Sequence, residues 1–96
     1  MVEHGTMLPF LSLSFPHLIF RFTFECIIDG QEPISITWLK DQIILTTVTH
    51  DIQYERGLAT LTLVDVQNED SAYYTCRASN SVGTAESSAY LMVKGK

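Results

Sequence analysis

The feature that most constrains this chain is a period of two in its apolar residues. Segment 20–26 alternates three phenylalanines and a cysteine with polar residues, and segment 34–38 alternates two isoleucines and a tryptophan with serine and threonine. Successive side chains of a β-strand point to opposite faces, so each segment predicts a strand with one buried face. No segment keeps the 3.6-residue period of an amphipathic helix.

Turn-forming residues separate these segments at short intervals. Segments 29–33, 40–42 and 80–83 are rich in Asp, Asn, Gly and Pro or in other polar residues. Segment 55–57 predicts a hairpin in which Gly57 takes a positive φ. A short helical turn is expected only within the polar stretch 64–71. Seven or eight short strands with frequent turns predict an antiparallel sandwich or barrel.

Length and charge narrow the functional class. The chain has 96 residues, which is about one small domain, and a formal net charge of −5 with six basic residues that form no cluster. Nucleic acids and anionic membranes bind clustered positive charge, so neither is an expected partner. Residues 7–94 are predicted to form one domain, preceded by an N-terminal extension at 1–6, in which vector-derived residues are an open alternative, and followed by a tail at 95–96.

Cys26 and Cys76 fall on the predicted inner faces of their strands. An even pair of cysteines forms a disulfide in a secreted protein, whereas in the cytosol it remains as two thiols. The number of cysteines alone leaves both the disulfide and the two thiols open.

Four residues of the predicted core stand in a characteristic order, namely Cys26, Trp38, Tyr74 and Cys76. Segment 70–76, DSAYYTC, resembles the D-x-A-x-Y-x-C signature of the immunoglobulin superfamily. Segment 76–83, CRASNSVG, resembles the C-x-A-x-N-x-x-G hairpin of its intermediate class, the I-set. The gap between the cysteines is too short for the two additional strands of antibody variable domains.

The resemblance implies an all-β, immunoglobulin-like antiparallel sandwich of the I-set with Greek-key connections. It also implies a Cys26–Cys76 disulfide, with Trp38 packed on the bridge and Tyr74 in a tyrosine corner. Strand alternation separately predicts that Leu63 lies in the core. I-set domains often carry an arginine that pairs with the signature aspartate, and segment 46–51 contains none. Asp70 is therefore expected to be held by backbone N–H groups of its own turn, or by Arg56.

No set of residues predicts catalysis, so the chain is not expected to be an enzyme or to bind a cofactor, metal or small-molecule substrate. The histidines His4, His17 and His50 have no metal-ligand spacing. The acidic residues near Asp70 lack the alternating ligands and glycine of a calcium loop, which favours a solvated turn. Nucleophile elbows and glycine-rich phosphate loops are absent from the sequence.

A partner is expected on the outward positions of the strands that follow the C, F and G order of the fold. Tyr, Met and Arg are common at protein interfaces, although single exposed apolar residues are also ordinary. The candidate partner-binding residues are Leu39, Ile44, Tyr73, Arg77, Tyr90 and Met92. The opposite sheet is expected to be solvated, and its mixed charges also suit a self-complementary two-fold contact. The proline-containing segment 8–16 is expected to protect a strand edge.

Segments 9–16 and 33–41 resemble the Down syndrome cell adhesion molecule (Dscam) family, including its shortened arthropod forms. That resemblance implies homophilic recognition between cells, with a second copy of the chain as partner. It also implies an extracellular location, with the membrane reached through other parts of the parent protein. Two alternatives remain, namely a titin-like structural domain in the cytoplasm of the muscle sarcomere and a heterophilic cell-surface receptor module.

Overall fold

The computed structural model describes the backbone of residues 2–14 and 19–93, and the side chains from residue 21 to residue 93. The predicted tail at 95–96, together with Phe15, Pro16 and His17, lies outside the described residues, as do the side chains of His4 and of the rest of segment 8–16. Within the described residues there are eight strands and one 3-10 turn, Asn68–Asp70. The strands are β1 (Val2–Ser14), β2 (Ile19–Gly30), β3 (Ser35–Lys40), β4 (Ile43–Ile44), β5 (Asp51–Glu55), β6 (Leu58–Val64), β7 (Ala72–Ser79) and β8 (Thr84–Leu91).

The strands form two antiparallel sheets that pack face to face. One sheet has the order β1-β2-β6-β5 and the other has the order β4-β3-β7-β8. The chain changes sheet after β2, after β4 and after β6, which is a Greek-key path. The predicted immunoglobulin-like sandwich is confirmed. Among the described residues, no helix has the length and apolar character needed to cross a membrane.

The core lies between the two sheets, where the inward positions of both meet. Its largest fully buried side chains come from both sheets, and they are Trp38, Tyr74, Phe24, Leu61, Cys26 and Cys76. The ring of Phe24 lies 4.8 Å from that of Tyr74 and 6.2 Å from that of Trp38, measured between centroids. Each such side chain contributes roughly 1.5–3 kcal/mol through burial, so this cluster joins the sheets.

Two hairpins have residues in the left-handed region at both central positions. The predicted hairpin at 55–57 is confirmed, with Arg56 at φ 48° and Gly57 at φ 88° between β5 and β6. The turn between β3 and β4 uses Asp41 at φ 49° and Gln42 at φ 71°, with no glycine. Positive φ at both positions gives the turn a twist that matches the right-handed twist of the flanking strands.

The first strand extends beyond the predicted domain boundary. Residues 2–6, which the sequence predicted to be an extension, continue β1 and pair with β2 as far as Val2 opposite Gly30. A register shift between Val2 and His4 accompanies this pairing. β2 runs on to Gly30, so these additional residues of β1 have partners on the neighbouring strand.

Candidate protein-binding face

The outer face of the sheet β4-β3-β7-β8 consists of rows of residues that stand opposite one another in register. An aromatic row contains Tyr73 and Tyr90, and a charged row contains Arg77 and Glu86. Between these two lies a middle row, which contains Ile44, Leu39, Thr75 and Ser88. Antiparallel pairing brings residues of each row close together and separates adjacent rows by two residues along each strand.

The aromatic row exposes the largest apolar side chains of this face. Tyr73 is 60% exposed and Tyr90 is 51% exposed, and their ring centroids lie 4.8 Å apart with an interplanar angle of 61°. Met92, which follows β8, is 62% exposed. The strand position of Tyr73 is fixed by Asp41, whose Oδ1 accepts from Tyr73 N at 3.0 Å and whose N donates to Tyr73 O at 2.8 Å. These two hydrogen bonds hold the backbone that carries the Tyr73 ring.

The charged row is an ion pair at the opposite end of the face. Arg77 Nε donates to Glu86 Oε2 at 2.5 Å, and the two side chains are 36% and 48% exposed. An exposed ion pair of this kind stabilises a monomer by about 0–1 kcal/mol. Both groups remain accessible to a second protein. Glu86 was not among the residues predicted for this face, although the alternation of β8, followed backwards from Tyr90, places it there.

The middle row corrects one of the predicted interface residues. Leu39 is 3% exposed and Thr75 is 4% exposed, although neither belongs to the core between the sheets. Both lie on interior strands, where neighbouring strands flank them on both sides. Thr75 Oγ1 and Ser88 Oγ are 2.7 Å apart and share a hydrogen bond. Leu39 is therefore wrong as an exposed contact residue and instead lies beneath the surface.

Ile44, the last predicted residue of the face, lies on the edge strand β4. It is 60% exposed, and its neighbour Ile43 is 68% exposed. This strand has two residues and pairs with Leu39 and Lys40 alone. Its position extends the apolar surface at the free edge of the sheet.

The side chains of Cys26 and Cys76 lie next to each other in the core. Cys26 is 0% exposed and Cys76 is 1% exposed. A hydrogen bond to Cys26, together with burial, raises the pKa of the Cys76 thiol above its ordinary range. Trp38, on the neighbouring strand β3, stands opposite Cys76 in register. Its indole Nε1 has no hydrogen-bond partner among the described residues.

The residues around the 3-10 turn hold β7 at its start. Tyr74 Oη donates to the backbone oxygen of Asp70 at 2.6 Å, which is the tyrosine corner. Burial, followed by the Asp70 and Asp41 carboxylates, raises the pKa of Tyr74 above its usual value. The Asp70 carboxylate accepts from Gln67 N at 2.7 Å, so it is held within its own turn. Leu63, the remaining predicted core residue, is 5% exposed.

Within residues 21–93, no three His, Cys, Asp or Glu side chains are grouped closely enough to hold a metal ion. His50 Nδ1 lies 2.7 Å from Thr49 Oγ1, an exposed hydrogen bond between neighbours in the chain. The outer face, in contrast, exposes two aromatic rings and an ion pair.

Comparison with curated proteins finds relatives of different kinds. The chain is 38% identical over 74 residues to the titin homolog of Caenorhabditis elegans, covering 75% of this chain and a share of the relative that rounds to 0%. It is 39% identical over 79 residues to vascular endothelial growth factor receptor 1 of Rattus norvegicus, covering 76% of this chain and 5% of the receptor. The chain thus spans a small fraction of the length of these relatives.

The solved structures that resemble this chain also come from proteins of different kinds. The M1 domain from titin matches with a TM-score of 0.73 and 30% identity, over 78% of this chain and 79% of that one. The Dscam1 Ig7 domain, isoform 9, matches with a TM-score of 0.69 and 21% identity, over 76% and 80% of the two chains, which supports the fold alone. The resemblance to Dscam in particular is therefore not established by these similarities.

One family model covers most of the domain. The immunoglobulin I-set domain matches residues 20–93, which include the Cys26–Trp38–Tyr74–Cys76 core and the whole outer face. The I-set domain is a non-catalytic fold. By this match the chain belongs to the immunoglobulin I-set family.

Proposed function

We propose that this chain is a protein-recognition domain that binds a second copy of itself through the outer face of β4, β3, β7 and β8. The observation that carries the proposal is the aromatic row, where Tyr73 and Tyr90 remain 60% and 51% exposed in contact with each other. Tyr, Met and Arg are enriched in protein interfaces; Met92 follows Tyr90 by two residues, and Arg77 lies at the other end of the same face. An exposed apolar patch with a polar rim is typical of an interaction site.

Charge favours this face for contact with an identical chain. The formal net charge is −5, so two copies repel each other over much of their surface. The charged row contributes one positive and one negative group, Arg77 and Glu86, and is therefore neutral. A second copy meets less repulsion here than at a predominantly acidic surface.

Sedimentation velocity over micromolar to sub-millimolar concentrations tests the proposal. We expect the natural chain to dimerise and Tyr90→Thr to weaken dimerisation, because threonine keeps the strand propensity and removes the ring. Leu58→Thr is the matched control, since Leu58 is 42% exposed on β6 in the other sheet. A chain that stays monomeric throughout this range, or a Tyr90→Thr variant that dimerises as well as the Leu58→Thr control, would contradict the proposal.

The biological setting that we propose is homophilic cell adhesion of the Dscam type, with the domain outside the cell and the parent protein attached to the membrane elsewhere. The similarity of segment 33–41 to that family supports this setting, as does the relationship to a growth factor receptor. In this setting Cys26 and Cys76 form a disulfide. The bridge would close a loop of about 50 residues and stabilise the fold by roughly 4 kcal/mol in the chain-entropy model.

A second candidate is a structural domain within a cytosolic, titin-like array. The relationship to the titin homolog, which is 38% identical to this chain, favours it. In that setting the domain would be monomeric, and its neighbours in the chain would provide its contacts. If the outer face instead bound a different protein, the domain would be a heterophilic cell-surface receptor module.

The redox state of the cysteines separates these settings. The protein is isolated from the compartment in which it is made, unfolded in denaturant with an alkylating reagent, and weighed by mass spectrometry. An extracellular adhesion domain should gain no alkyl groups, because Cys26 and Cys76 are bridged. A gain of two groups would exclude the adhesion setting and favour the titin-like array, whereas the outcome for self-association is measured independently by sedimentation.

A further inference from the structure

We infer that the two copies meet face to face about a two-fold axis that runs parallel to β7 and β8 and lies above the space between them. The inference rests on the proposed self-association and specifies its geometry. It follows from the way in which the rows are divided between these strands: Arg77, Thr75 and Tyr73 lie on β7, while Glu86, Ser88 and Tyr90 lie opposite them on β8.

Rotation about this axis places β7 of one copy over β8 of the other, and the two overlaid strands are antiparallel because β7 and β8 are antiparallel within each chain. Each row then lies over the same row of the second copy, so that its residue on β7 faces the residue of that row on β8. Arg77 faces Glu86 of the second copy, and the reciprocal contact occurs on the other side of the axis. Because each pair is already bonded within its own chain, the four groups form a square of alternating charge. Sheets that pack face to face in this way keep their strands within about 30° of each other.

The other two rows suit the same arrangement. The side chains of the middle row project little from the sheet, since Thr75 is 4% exposed and its hydroxyl is hydrogen-bonded to Ser88. Short side chains there allow the sheets to approach to the usual spacing of about 10 Å. In the aromatic row, Tyr73 of each copy meets Tyr90 of the other, and four rings gather in one cluster. The edge-to-face geometry within each chain, at 61°, leaves ring edges and ring faces available for further contacts of the same kind.

Other two-fold axes are less compatible with the charges. An axis directly over β7 opposes Arg77 to its own copy, and like charges in direct opposition repel each other. An axis perpendicular to the strands, along the middle row, places Glu86 over Tyr90 and Arg77 over Tyr73 of the other copy, so neither charged group meets a group of opposite sign. Only the axis between β7 and β8 opposes every charged group of this row to a group of opposite sign.

Charge reversal tests this geometry. We expect Arg77→Glu alone and Glu86→Arg alone each to weaken homodimerisation by about tenfold or more, because like charges then meet across the axis. An equimolar mixture of the two variants should form a heterodimer with an affinity close to that of the natural chain, since one variant presents two carboxylates and the other two cations. Far-ultraviolet circular dichroism and Trp38 fluorescence verify that each variant is folded.

The possible outcomes separate this inference from the proposed function. If Tyr90→Thr weakens dimerisation but the mixture of charge variants does not associate more strongly than each variant alone, the geometry is wrong and self-association through the face stands. Unchanged homodimerisation of both charge variants would also overturn the geometry. If the natural chain does not self-associate, the proposed function and the inference both fail.

Discussion

Removal of the Tyr74 hydroxyl tests how the start of β7 is held. Tyr74 is 0% exposed, and its Oη donates to the backbone oxygen of Asp70 at 2.6 Å. Tyr74→Phe keeps the ring, which lies 4.8 Å from Phe24 between centroids, and deletes the donor. The change in the free energy of unfolding therefore measures the tyrosine corner with little contribution from core packing.

The structure sets the size of this change. A hydrogen bond contributes a net 0.5–1.5 kcal/mol or so to stability, and a buried acceptor that loses its donor adds a further penalty. Asp70 is partly exposed, so water can reach its carbonyl oxygen and limit that penalty. We expect Tyr74→Phe to lose about 1 kcal/mol, which corresponds to a decrease in Tm of about 4–8 °C for a domain of this size.

The effect should also depend on pH. Burial, together with the nearby carboxylates, raises the pKa of Tyr74 in the folded protein above its unfolded value of about 10. Below pH of about 10 both states hold the proton and this contribution to stability is complete. At higher pH the unfolded state loses the proton while the folded state keeps it, so the natural chain loses about 1.4 kcal/mol per pH unit from this group. Tyr74→Phe lacks that loss, and the difference between the two proteins should narrow above pH of about 10.

Urea unfolding followed by fluorescence measures both effects, because Trp38 is the sole tryptophan and is 1% exposed. The matched control is Tyr73→Phe, one residue away in sequence but on the outer face and 60% exposed. We expect the control to change stability by less than about 0.5 kcal/mol. The reasoning is refuted if Tyr74→Phe costs no more than Tyr73→Phe, or if the gap between Tyr74→Phe and the natural chain does not narrow at alkaline pH.

Three further substitutions address the core and the two tight turns, each measured by the same unfolding assay. Leu61→Ala should cost about 2–5 kcal/mol, because Leu61 is 0% exposed and its removal leaves a cavity between the sheets; a loss below 1 kcal/mol or so would contradict this packing. Gln42→Gly should stabilise the domain by up to about 1 kcal/mol, since the left-handed conformation at φ 71° is costly for glutamine; destabilisation would show that the interactions of the Gln42 side chain outweigh this backbone cost. Gly57→Ala should cost at least about 1 kcal/mol, because φ is 88° and a Cβ there would lie 3.0 Å from the backbone oxygen of Ile28; an unchanged midpoint would refute this.

The inner faces of the strands were predictable from the sequence because the period of two follows from backbone geometry. Once Phe24 and Trp38 are assigned to the core, parity places their neighbours at every second position in the same core. The turn chemistry of Gly57 and the polar stretch around Asn68 then set where β5, β6 and β7 begin and end. These features are local, and the pattern of a few residues determines them.

Features that depend on more distant neighbours were not predictable in the same way. Parity places Leu39 on the outer face, but it does not specify the neighbouring strands β4 and β7 that flank Leu39, which is 3% exposed. Similarly, two partners were open for Asp70, and the choice of Gln67 N became apparent only from the conformation of the turn. The beginning of β1 at Val2 depends on how far β2 continues, a property of a different segment of the chain.

The arrangement of the outer face implies a division of work between its rows in the proposed dimer. Arg77 and Glu86 are already paired within each chain and hydrated. A second copy therefore adds new ionic contacts but also removes water from both groups. Such an exchange yields little net affinity but strongly disfavours a partner that presents the wrong charge. Tyr73 and Tyr90, in contrast, have apolar surface exposed to water before binding, and its burial is favourable with any partner of suitable shape. The aromatic row should therefore supply most of the affinity, and the charged row should select the identical chain as partner.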